Sequence, residues 1–90
     1  PVAAAIGAMP HDLMQLAIEQ ARLAEAAGDV PIGCVIRHDP TGRLWAGFNE
    51  REASEDPSAH AEIVAMRRAS RDLGTWRLID CTLVVTLEPC

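Results

Sequence analysis

A continuous apolar run between residues 83 and 87, rich in β-branched side chains, constrains the fold of this 90-residue chain more than any other segment. A short run that is apolar on both faces is typical of a strand covered on both sides, so we predict a central parallel strand there. A helical pattern precedes it. Asp56 and Pro57 form a typical helix start, with Asp as cap and Pro in the first turn, and the pattern ends at Gly74. A helix followed by a buried strand indicates an α/β domain.

Another helix and two more strands lie ahead of this unit. Helix signals begin at Pro10 and end at Gly28, and the apolar face between them is rich in alanine, which allows a close approach to a sheet. Residues 32–36 and 43–49 are two strand-like runs on either side of a strong turn at residues 39–42, as in a hairpin. The predicted element order is therefore α-β-β-α-β.

Length, charge and cysteine content limit the setting in which the chain works. Ninety residues allow one small domain, which we place at residues 11–90 after a loosely ordered lead-in at residues 1–10 that is too short to span a membrane. The net charge is −5 and all eight basic residues are Arg, which argues against a broad nucleic-acid footprint but leaves room for a local basic patch. Three cysteines give no even disulfide framework, so we expect a reducing, cytoplasmic location.

Glu62 is an acidic residue in an unusual position of the second helix. At about 100° per residue it lies in register with Met66, Ala69 and Leu73, on the face expected to meet the core. An unpaired charge there is costly, and a core-facing carboxyl group is suited to accept and release a proton. The alternative is a first-turn glutamate that only interacts with the helix dipole, and the pattern leaves both interpretations open.

His60 and Cys90 are candidate metal ligands. His60 lies near the first turn of the same helix, where side chains lean toward the N-terminus, so it and Glu62 can converge on one metal and its water. Cys90 follows the predicted strand and a proline that can open a helix, and helix N-termini favour the thiolate that binds metals. Each also has an ordinary explanation, as a hydrogen-bonded histidine or an unreactive cysteine. For Cys34 and Cys81, beside apolar strands, we favour small buried hydrophobic side chains.

Two segments match an established signature of zinc deaminases that act on nucleobases, H-x-E…P-C-x-x-C. They are Asp-Pro-Ser-Ala-His-Ala-Glu at residues 56–62 and Thr-Leu-Glu-Pro-Cys at residues 86–90. With residues 29–33 and 76–85, they make the chain from residue 29 onward resemble the tRNA-specific adenosine deaminases of the cytidine deaminase-like superfamily. The resemblance implies a three-layer α/β/α fold, of which this chain supplies α-β-β-α-β with a mixed sheet in the order 2-1-3.

The resemblance also implies an activity and a set of site residues. His60 and Cys90 would bind zinc, and Glu62 would move protons in the hydrolytic deamination of adenosine to inosine at the wobble position of a tRNA anticodon. Asn49 and Val30 match positions that line the family's base pocket, although a turn-forming role explains Asn49 equally well. The expected assembly is a homodimer with a tRNA substrate and no membrane partner.

Two alternatives to this function stay open. A free-base deaminase acting on guanine or cytosine shares the fold and the ligands, and most of the residues that distinguish it would follow Cys90. The match stops at Cys90, three residues before the second Cys of the signature. We therefore also consider a truncated, non-catalytic fragment, and we expect the 90 residues alone to bind zinc weakly and to lack turnover.

Overall fold

The computed structural model describes residues 10–52, 55–56 and 58–86 of the chain. The predicted element order is confirmed. It comprises helix α1 (Pro10–Ala26), strands β1 (Gly33–His38) and β2 (Arg43–Phe48), helix α2 (Ala61–Leu73) and strand β3 (Cys81–Val85). Among the described residues, no helix has the length and apolar character needed to cross a membrane. Apart from Pro10, which opens α1, the predicted lead-in lies outside the described residues.

The three strands form one sheet in the order β2-β1-β3, as predicted. Both pairings are antiparallel: β2 folds back on β1, and Cys34 of β1 lies opposite Val85 of β3. The prediction of a parallel pairing for this strand is therefore wrong for the described sheet, which is antiparallel rather than mixed. Leu87, the last residue of the predicted strand, lies outside the described residues. The physical reason is that β1 lies between β2 and β3. The strands joined through α2 do run in the same direction, but they are not neighbours.

The helices cover opposite faces of this sheet, which confirms the predicted three-layer α/β/α arrangement. The buried residues on the α1 side are Leu13, Ala17, Val35, Leu44 and Ala46. Those on the α2 side are Cys34, Ile36, Trp45, Ala61, Ala65 and Ala69. The strand residues alternate between the two faces, as the period of two along a strand requires. Alanines dominate the helical contributions, so both helices lie close to the sheet.

Contacts along its whole length fix α2 against β2. At its N-terminal end, a Cβ built on Gly47 would lie 2.7 Å from the carbonyl oxygen of Ala61, so only glycine permits this approach. Further along, the Arg68 guanidinium donates a hydrogen bond of 2.7 Å to a backbone carbonyl of β2. Near the C-terminal end, the indole N–H of buried Trp45 donates to Asp72 at 2.8 Å. The direction in which the N-terminus of α2 points is therefore fixed by the sheet.

The start of α2 differs from the prediction. The helix begins at Ala61 with His60 as its N-cap, several residues after the predicted cap at Asp56. Asp56 instead accepts hydrogen bonds from both the backbone N–H and the hydroxyl of Ser58, at 2.9 and 2.7 Å. This local turn uses the same acceptor chemistry as a helix cap, which is why the sequence pattern placed the helix too early. Pro57 lies outside the described residues.

Candidate functional site

His60 lies at the N-terminal end of α2, at the edge of the sheet. Its backbone is extended, with φ −74° and ψ 151°, and its carbonyl accepts the first helical hydrogen bond, from Val64, at 2.9 Å. Its half-buried imidazole makes no capping hydrogen bond to the helix. A histidine that occupies the cap position without capping leaves its side-chain nitrogens available for another ligand.

Asn49 supplies the cap that His60 does not. Its side-chain oxygen accepts a hydrogen bond of 2.8 Å from the backbone N–H of Ala61, the first residue of the helix. The side chain is almost fully buried, with 2% of the residue exposed. Its own backbone N–H donates to the carbonyl of Ile32, just before β1, at 3.1 Å. Asn49 therefore joins the end of β2, the start of β1 and the start of α2, a role that the sequence pattern did not indicate.

Glu62 lies in the first turn of α2 and is half-buried. Burial raises the pKa of the Cys34 thiol in β1 to about 12, and the negative charge of Glu62 contributes to that rise. Both interpretations of Glu62, a core-facing carboxyl group and one that interacts with the helix dipole, stay predictions. Cys34 itself is a buried free thiol, as predicted, whereas Cys81 is only partly buried.

The end of β3 reaches the same edge of the sheet. The backbone N–H of Thr86 donates to the carbonyl of Gly33 at 2.9 Å, and its hydroxyl accepts from the Gly33 N–H at 2.9 Å. Because β2 and β3 run in the same direction, Asn49 and Thr86 both emerge beside the start of β1. Cys90 follows Thr86 by four residues and lies outside the described residues.

The described part of the site holds one of the two predicted metal ligands. Within residues 10–52, 55–56 and 58–86, no three His, Cys, Asp or Glu side chains are grouped closely enough to hold a metal ion. Zinc prefers nitrogen and sulfur ligands. The His60 imidazole fits that preference, because it makes no capping hydrogen bond. The other predicted ligand, Cys90, lies outside the described residues, so the zinc site itself stays a prediction.

Val30 belongs to the connection between α1 and β1 and is half-buried. The neighbouring Asp29 accepts its backbone N–H at 2.7 Å and, with its other carboxylate oxygen, the backbone N–H of Glu52 at 2.9 Å. Hydrogen bonding from Glu52 is the largest of the effects that hold the pKa of Asp29 below its ordinary value. No local sequence pattern indicates this role of Asp29, because its partner lies 23 residues away.

Comparison with known proteins connects this geometry to a family. Residues 9–90 match the family model described as the cytidine and deoxycytidylate deaminase zinc-binding region. The tRNA-specific adenosine deaminase of Haemophilus influenzae is 42% identical over 78 residues, which cover 87% of this chain and 45% of that protein. The protein of the same name from Streptococcus pyogenes serotype M18 is 42% identical, over 91% of this chain and 55% of its own length. The chain thus spans about half the length of these curated relatives.

Solved structures share the fold. A structure from a study of A-to-I editing by tRNA:A34 deaminases superposes with a TM-score of 0.82 at 42% identity, covering 92% of this chain and 63% of that chain. The guanine deaminase of Bacillus subtilis superposes with a TM-score of 0.79 at 38% identity, covering 89% of this chain and 51% of its own. With the match over residues 9–90 and with His60 and Glu62 at the start of α2, this chain belongs to the cytidine and deoxycytidylate deaminase zinc-binding family.

Proposed function

We propose that this protein carries out the zinc-dependent hydrolytic deamination of adenosine to inosine at the wobble position of a tRNA anticodon. The observation that carries the proposal is the placement of His60 and Glu62 at the start of α2, beside the edge where β3 ends. The choice of substrate rests on the relatives named tRNA-specific adenosine deaminase, at 42% identity. Residues 11–90 are proposed as the part of the deaminase domain that this chain supplies.

Each proposed site residue has a defined chemical task. His60 and Cys90 would hold zinc, which when bound would make water acidic enough to react near neutral pH. Glu62 accepts a proton from the attacking water and delivers it to the purine ring nitrogen and then to the leaving amino group. Water adds at C6 of adenine, ammonia departs and inosine remains. A half-buried carboxylate is suited to return the proton that it takes.

Asn49 is proposed to bind the substrate base. Its amide oxygen is held by the N–H of Ala61, so the cap uses the acceptor end of the side chain and not its two N–H donors. Amide donors at this place suit the acceptor atoms on the edge of a purine that is unstacked from the anticodon loop. Val30 would pack against the same base.

We further propose a cytoplasmic homodimer. The free thiols of Cys34 and Cys81 suit a reducing compartment. The molecular mass measured by light scattering tests whether the protein is a dimer.

A free-base guanine deaminase is the second candidate, because the Bacillus subtilis guanine deaminase shares the fold at 38% identity. One experiment separates the two. The full-length protein, loaded with zinc, is given an anticodon stem–loop with adenosine at the wobble position, the same stem–loop with guanosine there, and free guanine or cytosine. Released ammonia is measured and the products are identified by nucleoside analysis.

Inosine formed from the adenosine stem–loop alone is the expected result. Xanthine formed from free guanine, with no inosine from RNA, would replace the proposal with the second candidate. Absence of product from every substrate in a protein with full zinc occupancy would indicate a non-catalytic member of the family.

A further inference from the structure

Asp29 is held in place by the end of α1. Gly28 adopts the left-handed conformation, with φ +80°. Its N–H donates to the carbonyl of Glu25 at 3.0 Å, and the Asp29 N–H donates to that of Ala24 at 2.9 Å. These two bonds form a Schellman motif, in which the residue after the glycine is fixed relative to the last turn of the helix. The Asp29 side chain therefore projects from a defined point and not from a free loop.

The carboxylate joins two connections that are distant in sequence. One oxygen accepts the N–H of Val30 at 2.7 Å, and the other accepts the N–H of Glu52 at 2.9 Å. Backbone hydrogen bonding from Arg51 also lowers the pKa of Asp29. Both oxygens are thus engaged by backbone donors, one in the α1–β1 connection and the other in the segment that follows β2. A carboxylate that accepts several backbone N–H bonds forms comparatively strong, charge-assisted contacts.

The segment that Asp29 holds is the one that carries Asn49. Asn49 lies three residues before Glu52, with its backbone N–H bound to Ile32 and its side chain bound to Ala61. Between the two, the N–H of Glu50 donates to the carbonyl of Ala59 at 2.9 Å. The Asp29–Glu52 bond closes the far end of this short segment. Both proposed base-contacting residues are therefore neighbours of a single carboxylate: Val30 along the chain, and Asn49 through the segment 49–52.

We infer that Asp29 is a positioning residue for base binding, which fixes Val30 and Asn49 relative to one another. The inference rests on the proposed function for its substrate. An isosteric amide cannot replace the carboxylate, because Asn carries only one acceptor oxygen and would present N–H groups to a backbone N–H donor. Residues that contact the base before and during the reaction contribute to binding in both states, so their misplacement raises KM and leaves kcat nearly unchanged.

The test compares Asp29→Asn with Asp39→Asn in the full-length, zinc-loaded protein. Asp39 is a matched control: its carboxylate also accepts short hydrogen bonds, from Arg37 and Thr82 at 2.9 Å, and its pKa is also lowered. It lies after the last residue of β1, at the end of the sheet opposite the candidate site. Both variants are measured for amide hydrogen exchange at residues 50–52, for zinc content, and for kcat and KM on the adenosine stem–loop.

For Asp29→Asn we expect faster exchange at residues 50–52 and a KM at least fivefold higher, with kcat within twofold and zinc content unchanged. For Asp39→Asn we expect neither change. If Asp29→Asn fails to fold, Asp29→Glu replaces it, because Glu keeps the charge but displaces the oxygens by one methylene. Unchanged KM and exchange in the Asp29 variant, or an equal rise of KM in the control, overturns the inference. An inactive wild type overturns the proposed function instead, and the exchange comparison then decides by itself whether Asp29 holds the segment.

Discussion

The side-chain oxygen of Asn49 lies 2.8 Å from the backbone nitrogen of Ala61, so the residue that follows β2 caps the helix that begins twelve positions later. A helix start needs acceptors for its free N–H groups, and the N-cap usually supplies one. Here the N-cap is His60, whose imidazole does not cap. Because Asn49 accepts the N–H of Ala61, the His60 imidazole is not needed as a cap. Its ring nitrogens are therefore available to bind a metal.

Replacing Asn49 by Ala should therefore destabilise the protein as well as weaken substrate binding. Loss of a helix cap costs about 0.5–2 kcal/mol, and the buried N–H of Ala61 would be left without its partner. Urea denaturation of the variant should show a lower midpoint with an unchanged slope. Ser58→Ala is the control, since Ser58 is exposed and, among the described residues, its hydroxyl donates to the local turn at Asp56. Equal midpoints for the two variants would contradict the capping role.

Substitutions of Glu62 and His60 should affect kcat and zinc content differently. Glu62→Gln keeps the shape of the side chain but removes the proton acceptor, so kcat should fall by about 10²–10⁴-fold while zinc content stays near that of the wild type. His60→Ala should lose zinc along with activity, because a catalytic zinc site has three protein ligands. Metal analysis alongside stem–loop kinetics distinguishes the roles. A Glu62→Gln protein without zinc would make Glu62 a ligand or a structural residue.

Stability should fall in acid. The pKa values of Asp29, Asp39, Asp56 and Asp72 all lie below the ordinary value of 3.8, mainly because each carboxylate accepts hydrogen bonds in the folded protein. A depressed folded-state pKa contributes stability that is present above the unfolded value and is lost as the pH falls through the folded value. Urea midpoints should therefore be level from pH 7 to about pH 5 and drop steeply below about pH 4. Asp72→Asn, which changes the partner of Trp45, should make that drop shallower. An unchanged acid profile in this variant would contradict the role of Asp72.

Stability should also fall in alkali, through Cys34. Its folded-state pKa is raised from 9.0 to about 12, first by burial and then by the charge of Glu62. A raised folded-state pKa contributes stability that is complete below the unfolded value and is lost as the pH rises, so the decline should span the range from about 9 to about 12. Cys34→Ala should flatten this decline, whereas the partly buried Cys81, changed to Ala, should alter it less. Equal alkaline profiles for the two variants would show that Cys34 does not govern it.

Local patterns in the sequence predicted the elements but not how they pair. The apolar run at residues 83–87 correctly indicates a strand, yet its two-sided apolar character carries no information on direction, and β1 separates it from β2. Asp56 shows the same limit at short range, because an Asx turn and a helix cap have the same pattern. The structural roles of Asp29 and Asn49 could not be predicted from the sequence. Their partners, Glu52 and Ala61, are distant in sequence, and only the folded chain brings them together.

The central place of β1 has a consequence for how the molecule assembles. Its N-terminal end contacts segments from three other parts of the chain: Ile32 binds Asn49, and Gly33 binds Thr86 while packing against the backbone of α1 at Ala17. The hairpin can form early, since its strands are joined by a short turn, whereas among the described strands β3 pairs with β1 across a much longer stretch of chain. We therefore expect the candidate site to form late in folding and in a single step, when β3 pairs with β1 and Thr86 comes to lie beside Gly33.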